Sequence, residues 1–426
     1  MTGNTKRLLA MVLVLMLMLP AIPAATAQSE QITLRLAWWG GQSRHDKMLQ
    51  IADEYMKQNP NVTIECEYTG DYFTKLTAQL AAGVEPDIYW VDINSAALFI
   101  EKGALLPMDD YVGNGLDLSN VSDAVTDTGR SDGHLYGIPN GVNASVMLYD
   151  PDIFAQLGIE APGVDWTWDD FEAICKRCVD ELHIYGVEGP FTTNVNFHYY
   201  LRSHGYEWYA EDGKSLAFTD PKVVEDFFAM SLRWQQNGYC PSQDVIAQKL
   251  GVEDTLMTKG QAAMMFTDSN QITTQSTVAG KPLAFLPLPG SGSNMDMFIK
   301  PSCFTVISAN TKHPEQCVDF LNYFVNDLTA GTIFNGEVGV PASNKTREYL
   351  LSTLSGNNQI ILQRQFDIID LVSGHSSPIN LIYPSKHGEV VDLLTDIQEK
   401  VMYEVESPAE AAQEFMNDAN RILASD

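Results

Sequence analysis

The sequence predicts an α/β fold in two wound lobes, and three observations predict it. From Ile32 to Val91, strand-like and helix-like patterns alternate with short connections. A strand pattern followed by a helix pattern returns far downstream, between Phe304 and Asn326. The 426 residues are too many for one simple core and suit two.

The elements follow in order. Ile32 to Trp39 alternates and is rich in β-formers, and Gly40-Gly41 turns the chain. His45 to Gln58 predicts a helix with Met48, Ile51, Ala52 and Tyr55 on one face, stopped by Asn59-Pro60-Asn61. Val62 to Tyr68 is the next strand, and Thr69-Gly70-Asp71 leads into a helix from Tyr72 to Ala82. Gly83 caps that helix, and Pro86 stands before a strand from Asp87 to Val91. This β-α-β-α-β order implies a parallel sheet with helices on both faces. Ligands of such sheets bind beyond the carboxyl ends of the strands. Three loops qualify: Trp38 to Arg44, Gly70-Asp71-Tyr72 and Trp90-Val91-Asp92.

A second module begins with strand-like residues from Leu135 to Tyr149, around a Pro-Gly break. Helices are expected from Trp168 to Leu182 and from Lys222 to Asn237. Gly260 to Phe266 is apolar and runs into the polar cluster Thr267-Asp268-Ser269-Asn270. Phe304 to Ser308 and His313 to Asn326 then resemble the first module, and a helical stretch runs from Glu389 to Leu423. A chain that crosses between lobes more than once explains this order economically, although periodicity does not establish the crossings.

Lys6, Arg7, the apolar run Leu8 to Leu19 and Ala25-Thr26-Ala27 read as a signal peptide over residues 1–27. Its apolar run is shorter than the about 20 residues that span a bilayer. An exported protein is therefore expected, and with Cys66 as the first cysteine it reads as unlipidated. A formal net charge of −29 repels phosphate backbones and anionic lipid, so nucleic acid is not an expected partner. With 45% apolar and 19% charged residues, disorder is excluded. Cys175-Lys176-Arg177-Cys178 lies in a helical pattern without a second pair at matching spacing, so free core thiols are expected and a disulfide stays open. No metal or other cofactor is expected.

The chain also carries a series of short motifs in order: Trp38-Trp39-Gly40 with Arg44, Tyr72-Phe73-Thr74-Lys75-Leu76, and Ala81-Ala82-Gly83 before Pro86-Asp87. Then come Tyr136-Gly137-Ile138-Pro139, Leu148-Tyr149-Asp150 with Phe154 and Gly158, and Thr167-Trp168-Asp169-Asp170-Phe171. Gly260-Gln261-Ala262-Ala263-Met264 and Gly339-Val340-Pro341-Ala342 complete them. Together these resemble the extracellular solute-binding proteins of carbohydrate ABC importers, of the maltose-binding-protein-like family 1 type. The resemblance spans nearly the whole chain after the leader. It implies a type II periplasmic-binding-protein-like fold, two doubly wound lobes joined by a hinge of crossing segments. The first lobe would hold residues 30–136 and 289–342, the second 137–288 and 343–426. Crossings would fall near Tyr136 to Gly141, Ala284 to Pro289 and Val340 to Asn344. The implied partners of a monomer are a carbohydrate and the importer's permease subunits. The lipobox cysteine of many relatives is missing here.

The candidate ligand-binding residues each have a structural alternative. Trp38 and Trp39 end a strand, so their side chains point to opposite faces and at most one lies flat on a ligand. Trp90 and Asp92 end another strand. Asp71, Asp92 and Asp268 offer carboxylates that accept two hydroxyls, or else cap helices. Arg44 offers a rigid fork of donors, or an ion pair with a cleft carboxylate. Asn143, Asn196 and Asn270 offer amide or polar contacts. Trp208 and Tyr209, in a second-lobe loop, would cover the opposite sugar face or anchor their loop. The readings in competition are an extracellular glycoside hydrolase, which needs two carboxyl groups at a defined separation, and an adhesion or scaffold protein.

Overall fold

The computed structural model describes residues 31–69, 71–192, 194–248, 254–290, 296–377 and 383–425. The leader over residues 1–27 lies outside them, as does Gly70. Five strands form the first sheet, in the order Val62–Tyr68, Ile32–Trp38, Ile88–Val91, Phe304–Ile307 and Gly137–Pro139. The first three are parallel, with Ile32 opposite Val62 and Leu36 opposite Ile88. Phe304–Ile307 runs antiparallel to both its neighbours. The downstream strand and helix are therefore the return of the chain into the first sheet.

Strand alternation divides this lobe's core. Leu34, Leu36, Trp38, Ile88 and Trp90 face the helices Gln42–Gln58 and Pro314–Asn326. Ala37, Tyr89 and Val91 face the opposite layer, with Tyr72, Leu76, Ala96 and Phe99. Buried Met48, Ile51, Ala52 and Tyr55 form the inner stripe of the first helix, at the spacing read from the sequence.

The second sheet runs Ala284–Leu286, Ser145–Tyr149, Ala262–Asp268, Tyr185–Val187. Its only parallel pair is the last, so the two sheets are both mixed. Helices Trp168–Arg177, Lys222–Gln236, His387–Met402 and Pro408–Leu423 pack around the larger core. The long terminal helical pattern breaks in two because Ser407 starts a new helix, with Pro408 at its first turn and a capping box to Glu410.

Three crossings meet between the lobes. Val142–Asn143 pairs antiparallel with Lys300–Pro301, and Val142 and Val340 exchange backbone hydrogen bonds of 2.8 and 2.9 Å. The second crossing differs from the expected Ala284 to Pro289. Ala284–Leu286 pairs with Ser145–Tyr149, and Leu288, Met297, Phe298 and Ile299 belong to the second core. The described residues on this stretch through Ile299 therefore belong to the second lobe, and Lys300 to Cys303 lead back into the first. All six cysteines are free thiols, and no described helix is long and apolar enough to cross a membrane. Two α/β lobes with mixed sheets joined by crossing strands make this the type II periplasmic-binding-protein fold.

Candidate functional site

A cavity of about 480 Å³ opens between the lobes. From the first lobe it is bordered by Trp39, Arg44, Asp92 and Glu337, and from the crossings by Asn143 and Lys300. The second lobe supplies Asp268, Asn270, Phe298 and Tyr383. Trp39, Arg44, Asp92, Asn143, Asp268 and Asn270, all singled out in the sequence, thus come together here from positions up to 231 apart in number.

The other candidates lie elsewhere. Trp38 and Trp90 are 0% exposed, and Trp208 is 1% exposed, which corrects the expectation that they reach a ligand. Alternation turns Trp38 into the core and leaves its neighbour Trp39 at the cleft. Trp208 stacks behind Tyr209 with their rings 5° apart, and Tyr209 in turn stands behind the cleft-lining Tyr383. These two residues anchor their loop. Asn196 is buried in the helix Asn194–Ser203 and Asp71 is exposed at the start of the helix Tyr72–Ala82. Neither borders the cleft.

Arg44 is folded back over the strand ends. Its Nη1 donates to the Trp39 carbonyl at 3.1 Å, and its guanidinium lies 5.7 Å from the Trp90 ring centre. Nε is buried without a hydrogen-bond partner, 3.9 Å from Glu337 Oε1. Gly40 makes this pose accessible. Its φ is +142°, and a Cβ there would come within 2.6 Å of Arg44 Cδ. Lys47 Nζ holds the other Glu337 oxygen at 2.5 Å.

Asp92 caps the helix Ile93–Glu101, accepting from the Ser95 amide at 2.6 Å. Asp268 accepts from Lys300 Nζ at 3.0 Å and Ser145 Oγ at 3.3 Å. Asn143 is 6% exposed; its Nδ2 donates to the Val338 carbonyl at 3.3 Å, and its Oδ1 is buried without a partner. Gly339 packs on that amide, where a Cβ would stand 2.9 Å from both Oδ1 and Nδ2. Cys303 also borders the cavity, but burial pushes its thiol up to about 11, which removes it as a nucleophile near neutral pH. Among the described residues no group of three or more His, Cys, Asp or Glu can hold a metal ion. The arrangement is that of a recognition site: aromatic planes, paired charges and an unmet acceptor.

Sequence reading missed Phe298, Lys300, Glu337 and Tyr383. Only Glu337 had a signal, standing just before the Gly339-Val340 segment that the resemblance marked as a crossing.

Among solved structures, the fold is similar to an extracellular solute-binding protein family 1 from Alicyclobacillus acidocaldarius subsp. acidocaldarius DSM 446. That match has a TM-score of 0.83 and 26% identity, and covers 93% of this chain and 99% of that one. It is also similar to a periplasmic oligogalacturonide binding protein from Yersinia enterocolitica, with a TM-score of 0.75, 25% identity and coverage of 92% and 98%. In sequence it resembles the galactooligosaccharide-binding protein of Bacillus subtilis strain 168, 24% identical over 272 residues, 61% of each chain. The family model described as bacterial extracellular solute-binding protein matches residues 41–327, and with the two-lobed fold and its central cleft this chain belongs to that family.

Proposed function

We propose that this protein captures a carbohydrate outside the cytoplasmic membrane, without chemical change, and delivers it to the permease subunits of an ABC importer. One observation carries the reading. Aromatic side chains approach the cleft from both lobes, Trp39 on one side and Phe298 and Tyr383 on the other, with carboxylate and amide acceptors between them. Pyranose faces are apolar and their edges carry hydroxyls, so a sugar slots between such planes and donates to Asp92, Asp268 and the unmet Asn143 Oδ1. The Yersinia and Bacillus relatives, whose names give an oligogalacturonide and a galactooligosaccharide as ligands, support the same class.

Export completes the proposal, since a receptor of this kind must meet its ligand before the importer does. The secreted chain should begin at Gln28 or within a few residues, and mass spectrometry that finds Lys6 and Arg7 retained would refute this. Capture is tested by a thermal-shift screen against plant, mucin and microbial oligosaccharides, followed by calorimetry. A binder of the folded state raises the melting temperature by mass action. Saturable heat with unchanged sugar supports the receptor. Cleaved sugar identifies an enzyme instead, and no response across the screen overturns carbohydrate capture.

A further inference from the structure

Tyr383 borders the cleft, and two histidines hold it there. The Tyr383 ring is stacked on His387 with centroids 3.8 Å apart and planes 13° apart. Its hydroxyl is 3.0 Å from His198 Nδ1. His387 is fixed in turn: its Nδ1 is 2.7 Å from the Tyr209 hydroxyl, and Trp208 packs edge-on at 5.1 Å. His198 also touches Phe298, the other aromatic of this wall, at 5.7 Å. The two histidines are 2% and 7% exposed, and the strand-and-sheet machinery of the lobe does not use them.

We propose that His198 and His387 are positioning residues which hold Tyr383 as a fixed stacking plane for the sugar on the second-lobe side of the cleft. The proposal rests on the carbohydrate reading for the identity of what stacks. A ring with one face covered and its hydroxyl engaged has few rotamers left to lose, so binding costs less ordering than it would with a free tyrosine. The pair works as neutral imidazoles. Burial, then the neighbouring His198, pushes His387 down to about 4, and burial lowers His198 against the opposing pull of Glu207. Among the groups facing them are Glu207 and Arg202 around His198, and Tyr209, Tyr383 and His198 around His387. Lys386 and Glu389, on the His387 helix and its cap, are paired with each other at 2.9 Å.

The test uses the full mature chain with labelled tyrosine, and maltotriose, galactotriose and digalacturonate as probes. His387→Phe keeps a ring to stack on and His387→Ala does not. In the ligand-free protein, the Tyr383 ring resonances should move strongly in the Ala variant and little in the Phe variant. With whichever probe binds the wild type, calorimetry should show a loss of about tenfold for His387→Ala and under about threefold for His387→Phe, the scale of one interface side chain. With phenylalanine labelled instead, Tyr383→Phe removes only the hydroxyl held by His198 and should broaden the ring signals of residue 383 while the fold persists. Unmoved Tyr383 resonances in the Ala variant overturn the proposal, as do equal affinities in both His387 variants. If no probe binds the wild type, the ligand class is at fault, and the resonances alone still decide whether the histidines position the ring.

Discussion

On the first-lobe side of the cleft, Trp39, Arg44 and Asp92 follow directly on the parallel strands Ile32–Trp38 and Ile88–Val91. On the second-lobe side, Asp268, Phe298 and Tyr383 come from segments that share no element. Tyr383 is held by a loop at Tyr209 and by helices carrying His198 and His387. One wall is thus set by local strand geometry, the other by long-range assembly of side chains. The lesson is that a wall made of strand ends is rigid through its backbone, while a wall made of stacked rings is rigid only while every ring behind it is in place.

The adjacent tryptophans of the first wall give the largest expected effect. Trp38 is 0% exposed within the core, so Trp38→Ala should cost about 3–5 kcal/mol of folding stability through lost burial and a cavity. Denaturant unfolding measures it, and a loss under about 1 kcal/mol would mean the core closes over the gap. Trp39→Ala should do the opposite, keeping the fold and costing about 2 kcal/mol of sugar binding, roughly thirtyfold in affinity. Calorimetry showing equal affinity would remove Trp39 from the ligand.

The same contrast explains what the sequence disclosed. The first wall was legible because alternation puts only one of Trp38 and Trp39 at the cleft, with burial deciding that it is Trp39, and because the helix starting at Tyr72 and the strand ending at Val91 are bounded by clear signals, Gly83 and Pro86. The second wall was not. The antiparallel place of Phe304–Ile307 and the late crossing at 300–303 depend on pairings remote in sequence. Trp208 and Tyr209 were recognised as aromatics of the right lobe, but only packing decides that they stand one layer behind Tyr383. Arg44 carried both readings at once, an ion pair and a cleft donor, and it borders the cavity while facing Glu337 at 3.9 Å.

The second wall has a support that titrates. His387 is depressed to about 4 and His198 is also lowered. A histidine whose folded value lies below its unfolded one is stabilising while neutral in both states. Stability is lost as pH falls below the unfolded value near 6.5, because the unfolded chain takes up the proton first, and the loss levels off below the folded value. For His387 this amounts to about 1 kcal/mol between pH 6.5 and 5.5. Denaturant midpoints of the wild type and His387→Phe across that range measure it. Parallel pH profiles for the two proteins would show that His387 titrates normally.

The smallest effect should come from Lys300 and Asp268, a direct ion pair between a crossing strand and the second wall's sheet. Their side chains are 28% and 36% exposed, so water screens much of their 3.0 Å attraction and holding a lysine in one rotamer offsets the rest. Such pairs are worth at most about 1 kcal/mol. Lys300→Gln should therefore change unfolding free energy by less than about 1 kcal/mol. The crossing itself should stay in place, since the backbone pairing of Lys300 with Asn143 does not need the ammonium group. Asp268 keeps its contact with Ser145 Oγ and remains an acceptor at the cleft edge, so affinity for a neutral sugar should change less than about threefold, in low salt and high alike. A loss of about 3 kcal/mol or more would instead mark the pair as effectively buried, with an uncompensated Asp268 left behind. In that case charge across the crossing would hold the second wall, and the stacked rings would be secondary to it.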